Sequence, residues 1–194
     1  MNKAIFLDKD GTLIPDIPYN VDPDKITLTG HCIEGLRILA ATGYKLILVS
    51  NQSGIARGYF SEAQLLWAIK RLYELFEAED IRLDAFYYCP HHPQGTADGY
   101  NISCDCRKPM PGMLQSAAME HQLDLGRCWM IGDILNDVEA GNRAGCNSIL
   151  IDNGNETEWL DGPYRQPEFS CSNINEAATY IYNYNLSDVG LEQR

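Results

Sequence analysis

Short, nearly unbroken apolar runs recur along the chain at residues 4–7, 44–49, 84–88, 127–131 and 147–151, and longer segments separate them. Runs of this length are too short for a stable helix and suit strands buried on both faces of a sheet. Between them, residues 31–42 place Ile33, Leu36, Ile38 and Leu39 on or near one helical face, with Gly43 to close the helix. Ser61 and Gln64 have capping-box spacing, and Leu65, Leu66, Ile69, Leu72, Leu75 and Phe76 then recur at helical period. Further helices are predicted from Pro111 to about Gln122, from about Asn136 to Gly145, and from Asn173 to near Tyr182, with a frayed tail after Asn183. Strict alternation of the two element types predicts an α/β fold: a Rossmann-like three-layer α/β/α arrangement on one parallel sheet, with right-handed crossovers. A single domain over 1–194 is expected, with an extension from about residue 154. No stretch is long enough for a separate cap domain.

In such a sheet, ligands bind beyond the carboxyl ends of the strands. The first run ends in Asp8-Lys9-Asp10-Gly11-Thr12, which puts two carboxylates on the floor of a cleft. An ordinary Asp-Gly turn would account for the same residues. What separates the two readings is whether later strands deliver complementary groups to the same edge. The second run delivers Ser50-Asn51-Gln52-Ser53-Gly54. The fourth delivers Gly132-Asp133, followed by Asp137.

Acidic residues outnumber basic ones 27 to 15, for a net charge of −12, so nucleic acid is disfavoured as a partner. No apolar run approaches the ~20 residues of a membrane span. Of seven cysteines, three crowd into one loop and four are scattered, which is no disulfide framework. A soluble cytoplasmic protein, with a monomer favoured, is expected.

The segment from Cys89 to Pro109 has no secondary-structure signal, and a loop of that length inside a compact domain needs a reason. Cys89, His91, Cys104 and Cys106 make a complete tetrahedral Zn²⁺ set, closed and therefore structural; His92 is the competing nitrogen. Arg107 and Lys108 follow the last thiolate directly. Lysine can hold a phosphoryl oxygen as a point charge, and arginine can grip a second phosphate or hydroxyl in bidentate fashion. Asp8 and Asp133 facing each other with phosphate between them suit Mg²⁺. Asp137 is either part of that metal site or a first-turn acid favoured by its helix dipole. With no cap domain, recognition falls to short polar elements at the rim: the loop from Asp16 to Tyr19, Asn51, Gln52, Ser53 and Arg107.

Taken together, Asp8-x-Asp10-Gly11-Thr12, Ser50, Lys108, and Asp133 with Asp137 resemble the four motifs of the haloacid dehalogenase (HAD) superfamily of phosphoryl-transfer enzymes. The stretches 50–58, 89–95 and 104–109 are similar to those of its zinc-loop D-glycero-D-manno-heptose-1,7-bisphosphate 7-phosphatases. The likeness covers residues 4 to about 151. It implies that Asp8 is the nucleophile and Asp10 the general acid and base. Mg²⁺ would be held by Asp8, the backbone carbonyl of Asp10, and Asp133. Ser50 and Lys108 would hold the transferring phosphoryl group, and Arg107 with the 16–19 loop would recognise a sugar phosphate. Histidinol-phosphate phosphatases share the zinc loop and are the alternative. More distant readings are a polynucleotide 3′-phosphatase and a non-catalytic zinc-stabilised module. One departure from the family pattern is Ile134, where a lysine often follows the motif-four aspartate.

Overall fold

A computed structural model describes the backbone of residues 2–191 and the side chains through residue 187. Six parallel strands form one sheet: β1 (Ala4–Leu7), β2 (Lys45–Asn51), β3 (Ala85–Cys89), β4 (Trp129–Gly132), β5 (Asn147–Ile151) and β6 (Phe169–Cys171). Their spatial order is β3-β2-β1-β4-β5-β6. The chain leaves β1 to build one flank through β2 and β3, then returns across it to build the other. The order therefore reverses between β1 and β4, where a doubly wound sheet opens its ligand crevice.

Among the described residues there are five α-helices, four between successive strands and the last after β6: α1 (Cys32–Ala41), α2 (Glu62–Glu77), α3 (Gly112–His121), α4 (Leu135–Ala144) and α5 (Ile174–Leu191). One large core lies between the sheet and α1, α2 and α5, and a second lies against α3 and α4. All four β1 side chains are fully buried, which is why that strand shows no polar alternation. α2 opens on the expected capping box, with Gln64 N donating to Ser61 Oγ at 3.3 Å and Ser61 N donating to Gln64 Oε1 at 2.9 Å. α4 stops at Gly145 in the left-handed region, φ 91°.

The structure differs from the sequence reading in three places. Pro111 stands at the N-cap of α3 rather than inside its first turn. β6 was not anticipated; it has three residues and exists through pairing with β5. α5 continues to Leu191 instead of fraying after Asn183. Its buried face, Ile174, Ala177, Ala178 and Ile181, packs along α1 and closes the larger core. The contact is tight at Gly35 of α1, where a Cβ would stand 2.8 Å from the carbonyl carbon and oxygen of Ile174.

Candidate active site

Asp8 follows the end of β1 and Asp133 the end of β4, adjacent strands at the reversal point. Both are buried, 7% and 4% exposed, and one carboxylate oxygen from each of Asp8, Asp133 and Asp137 lies within 4.8 Å of the others. Lys108 enters this cluster from the far end of the cysteine loop and is 3% exposed. Its Nζ donates to Asp8 Oδ1 and to the carbonyl of Val49 at 3.0 Å, and stands 2.6 Å from Asp137 Oδ1. Burial alone would lower the lysine's pKa; the charges of Asp137 and Asp8 overcome it and hold the ammonium above its ordinary range. Burial pushes the Asp8 carboxyl up against the pull of Lys108. Burial, then the charge of Asp137, pushes Asp133 up to about 7.

Three buried carboxylates against one ammonium leave a surplus of negative charge that a divalent cation would neutralise, and an all-oxygen donor set suits Mg²⁺. Asp137 is committed elsewhere: besides facing Lys108, its Oδ2 accepts from the backbone N–H of Ile134 at 3.3 Å, at the start of α4. Asp8, Asp133 and Asp137 are nonetheless the three carboxylates whose oxygens are gathered closely enough to hold a cation.

Asp10 lies on the other side of the same cavity, which has a volume of about 140 Å³ and is also lined by Ser50 and Ile134. Its Oδ1 pairs with Lys9 Nζ at 2.7 Å and its Oδ2 accepts from Gln52 Nε2 at 3.1 Å. Gln52 Nε2 also donates to Ser50 Oγ at 2.8 Å, so Asp10, Gln52 and Ser50 form one linked row. Asn51 grips both backbone polar groups of Lys108, accepting from its N–H and donating to its carbonyl, each at 3.0 Å.

A second cavity of about 290 Å³ adjoins the first and is lined by Asp16, Tyr19, Asn51, Gln52, Ser53 and Lys9 among others. Tyr19, itself in the left-handed region at φ 58°, meets Tyr59 edge to face with centroids 4.6 Å apart. Arg107 lines neither cavity; its Nη1 donates to the His91 carbonyl at 3.4 Å. The sequence therefore brought Asp8, Asp10, Ser50, Lys108 and Asp133 to one cavity and the 16–19 loop with Ser53 to its neighbour, while Arg107 stands apart.

Lys9 escaped the sequence reading: a lysine at 2% exposure whose ammonium meets the neighbouring Asp10. So did the residues behind Asp133. Thr12 Oγ1 donates to its Oδ1 at 3.4 Å and Asn155 Nδ2 to its Oδ2 at 2.8 Å. The available signal for Asn155 was position, because β5 ends at the same sheet edge.

The four residues of the cysteine loop converge. Cys106 Sγ lies 3.0 Å from Cys89 Sγ and 3.2 Å from Cys104 Sγ, and His91 Nδ1 lies 3.4 Å from Cys106 Sγ and 3.8 Å from Cys89 Sγ. A zinc tetrahedron with ~2.3 Å bonds has edges of about 3.8 Å; the His91 separations approach that value and the sulfur–sulfur ones are shorter. Hydrogen bonds from Cys89, and then Cys104 and His91, pull the Cys106 thiol down to about 5 despite its burial. His92 turns away, its Nε2 facing Arg57 Nη2 at 3.3 Å and its Nδ1 accepting from Gln94 N at 3.1 Å. The loop also clamps the turn under the second cavity: Thr96 N and Ala97 N both donate to the Ala56 carbonyl, at 2.7 and 2.9 Å.

Residues 105–177 match a family model described as HAD-hyrolase-like. The chain is 48% identical over 141 residues to the D-glycero-β-D-manno-heptose-1,7-bisphosphate 7-phosphatase of Haemophilus influenzae, covering 73% of this chain and 76% of that protein. The Escherichia coli K12 protein of the same name is 41% identical over 166 residues, covering 81% of this chain and 87% of the relative. Among solved structures, the D,D-heptose 1,7-bisphosphate phosphatase from B. bronchiseptica, complexed with magnesium and phosphate, superposes with a TM-score of 0.81 at 30% identity, covering 95% of this chain and 99% of that one. Likeness of this extent in both sequence and fold means that the chain belongs to the D-glycero-β-D-manno-heptose-1,7-bisphosphate 7-phosphatase family of HAD-like phosphatases.

Proposed function

We propose that this phosphatase removes the 7-phosphate of D-glycero-D-manno-heptose 1,7-bisphosphate through an aspartyl-phosphate on Asp8. The observation that carries the chemistry is the buried Asp8, Lys108 and Asp133 cluster with Asp10 across one cavity. A phosphate monoester resists hydrolysis because anions repel each other and the alkoxide leaves badly. Lys108 holds positive charge beside Asp8, and Ser50 has a hydroxyl to offer a phosphoryl oxygen. In the first step a carboxylate oxygen of Asp8 bonds to phosphorus as the ester P–O bond breaks, and Asp10 gives its proton to the departing oxygen. In the second, Asp10 takes a proton from water, which cleaves the acyl phosphate and returns Asp8. Asp8, Asp133 and the backbone carbonyl of Asp10 would hold Mg²⁺, which when bound supplies charge neutralisation for the phosphoryl group. Asp137 serves this reading as the counter-ion that holds Lys108. Cys89, His91, Cys104 and Cys106 would hold a structural Zn²⁺.

The second cavity supports a hydroxylated substrate. Its lining mixes Asp16, Asn51 and Ser53 with Tyr19, groups that hydrogen-bond and stack against a sugar. We assign Arg107 to the second phosphate, which requires its guanidinium to swing from the His91 carbonyl into the rim. The reading carries a cytoplasmic location, supported by seven free cysteines, and a single-domain monomer; among the described residues no helix is long and apolar enough to cross a membrane.

Asp8→Asn is expected to abolish turnover while circular dichroism and thermal unfolding stay near wild type. Asp10→Asn should slow the reaction by about 10²–10⁴-fold. Wild-type kcat/KM measured on heptose 1,7-bisphosphate and on histidinol phosphate should favour the former. A preference for histidinol phosphate would overturn the substrate and leave the chemistry, whereas turnover by Asp8→Asn would overturn the chemistry.

A further inference from the structure

Three residues shortly after β5 reach back over the sheet edge and touch three parts of the site at once. Asn153 Nδ2 donates to the carbonyl of Gly11 at 2.7 Å, in the turn between Asp10 and Thr12. Asn155 Nδ2 donates to Asp133 Oδ2 at 2.8 Å. Glu156 Oε2 accepts from the backbone N–H of Leu135 at 2.6 Å, in the first turn of α4. Asn155 N donates in turn to Asn153 Oδ1 at 3.2 Å, and Glu156 Oε1 accepts from Glu158 N at 2.8 Å, so the stretch is folded on itself before it touches anything else. Packing leaves no slack: a Cβ on Gly11 would stand 2.5 Å from Asn155 Nδ2 and 2.0 Å from Asp133 Oδ2.

We infer that Asn153, Asn155 and Glu156 form a brace that presets Asp133 for Mg²⁺, with Asn155 as its positioning residue. A carboxylate that can rotate must lose that freedom when it binds a cation. A hydrogen bond to Oδ2 from Asn155, beside the one to Oδ1 from Thr12, removes the freedom beforehand, and such partners contribute about 10–100-fold to metal affinity. Asn155 is suited to the task chemically. An amide N–H is a neutral donor, so it fixes the oxygen without competing for the cation, as a lysine or arginine at that place would. Asn153 and Glu156 then tie the donor's segment to two backbone stretches of the site, the turn after Asp10 and the start of α4. The brace rests on the reading of Asp133 as a Mg²⁺ ligand, and it gives the segment following β5 a role in the metal site.

The test is direct binding, without substrate. Zinc-loaded chains are titrated with Mn²⁺ as the probe, followed by electron paramagnetic resonance, and with Mg²⁺ by calorimetry; thermal unfolding is recorded for each variant. Asn155→Ala should raise the dissociation constant by about 10–100-fold, and Glu156→Ala should raise it by a smaller factor. Asn142→Ala is the control: Asn142 Nδ2 donates to the carbonyls of Tyr164 and Gln166, so the change loosens the same excursion far from Asp133. Its dissociation constant should match wild type. If Asn155→Ala binds as tightly as wild type, or if Asn142→Ala weakens binding equally, the brace is overturned. Asp133→Ala separates this failure from the wider one. Loss of binding in Asp133→Ala beside tight binding in Asn155→Ala removes the brace alone, whereas undiminished binding in Asp133→Ala removes both the brace and the ligand role of Asp133.

Discussion

Lys108 shows what a single side chain contributes to this site. Its charge is buried among three carboxylates, and each contact on it has a different job: Asp8 receives it, Asp137 neutralises it from behind, and the Val49 carbonyl aims it. Removing one partner of a buried ion pair typically costs about 3–5 kcal/mol, since the other charge is left uncompensated. The same burial makes the site sensitive to pH. Asp133 has its folded pKa raised from 3.8 to about 7, by burial first and the charge of Asp137 second. Between those values the folded chain binds a proton that the unfolded chain has released, so stability falls as pH rises through the window and the contribution is gone above it. Zinc-loaded protein in magnesium-free buffer should therefore show a lower urea midpoint at pH 7.5 than at pH 5.5. Mg²⁺ at pH 7.5 should recover the difference, and Asp133→Asn should flatten the slope; an unchanged slope in that variant would remove Asp133 as its source. Much at this scale was legible in advance. Asp8 and Asp133 were readable because each ends a continuous apolar run. Lys9 was not, because only the folded contact with Asp10 accounts for a buried ammonium.

Among the elements, the cysteine loop does more than close on itself. Its hydrogen bonds to the Ala56 carbonyl support the turn that carries Ser53, and Gly95 lies so close that a Cβ would stand 2.6 Å from that carbonyl. Elemental analysis should find about one zinc per chain. Stripping it with a strong chelator should lower the unfolding temperature and kcat/KM together, and Mg²⁺ alone should restore neither, because a loop without other support orders through its metal. Cys106→Ser with unchanged stability and activity would dismiss the zinc. The α1 and α5 pair makes a separate prediction. Gly35→Ala gains roughly 1 kcal/mol of helix propensity, but its Cβ meets backbone atoms of Ile174, which cannot rotate away. Overpacking of this kind costs about 1–3 kcal/mol, so the steric term wins and the unfolding temperature should fall. The elements hidden from the sequence share one cause. Phe169, Ser170 and Cys171 carry no pattern of their own and become a strand by pairing with β5. The later part of α5 contains asparagine, serine and glycine, poor helix formers that extend a helix already anchored on α1.

For the whole molecule, the segment beyond β5 is structural rather than appended. It supplies the edge strand, a helix that buries Ile174, Ala177, Ala178 and Ile181, and the Asn155 contact to Asp133. A chain truncated after residue 154 should consequently lose cooperative thermal unfolding; a truncated chain with a wild-type transition would show the core closes without α5. The strand order carries a further consequence, in time instead of space. β1 is central and is made first, yet its neighbour β4 arrives only after both β2 and β3. The last thiolate, Cys106, is synthesised before Asp133, and at about 5–20 residues per second the interval between them is roughly 1–5 s. A growing chain thus owns its complete thiolate and imidazole set for seconds during which Asp8 and Lys108 have no Asp133 or Asp137 beside them. With the metals proposed for the two sites, order of synthesis would separate them: the soft-ligand site is complete while the oxygen site still lacks half its carboxylates, so the thiolate site would be the first able to take its ion.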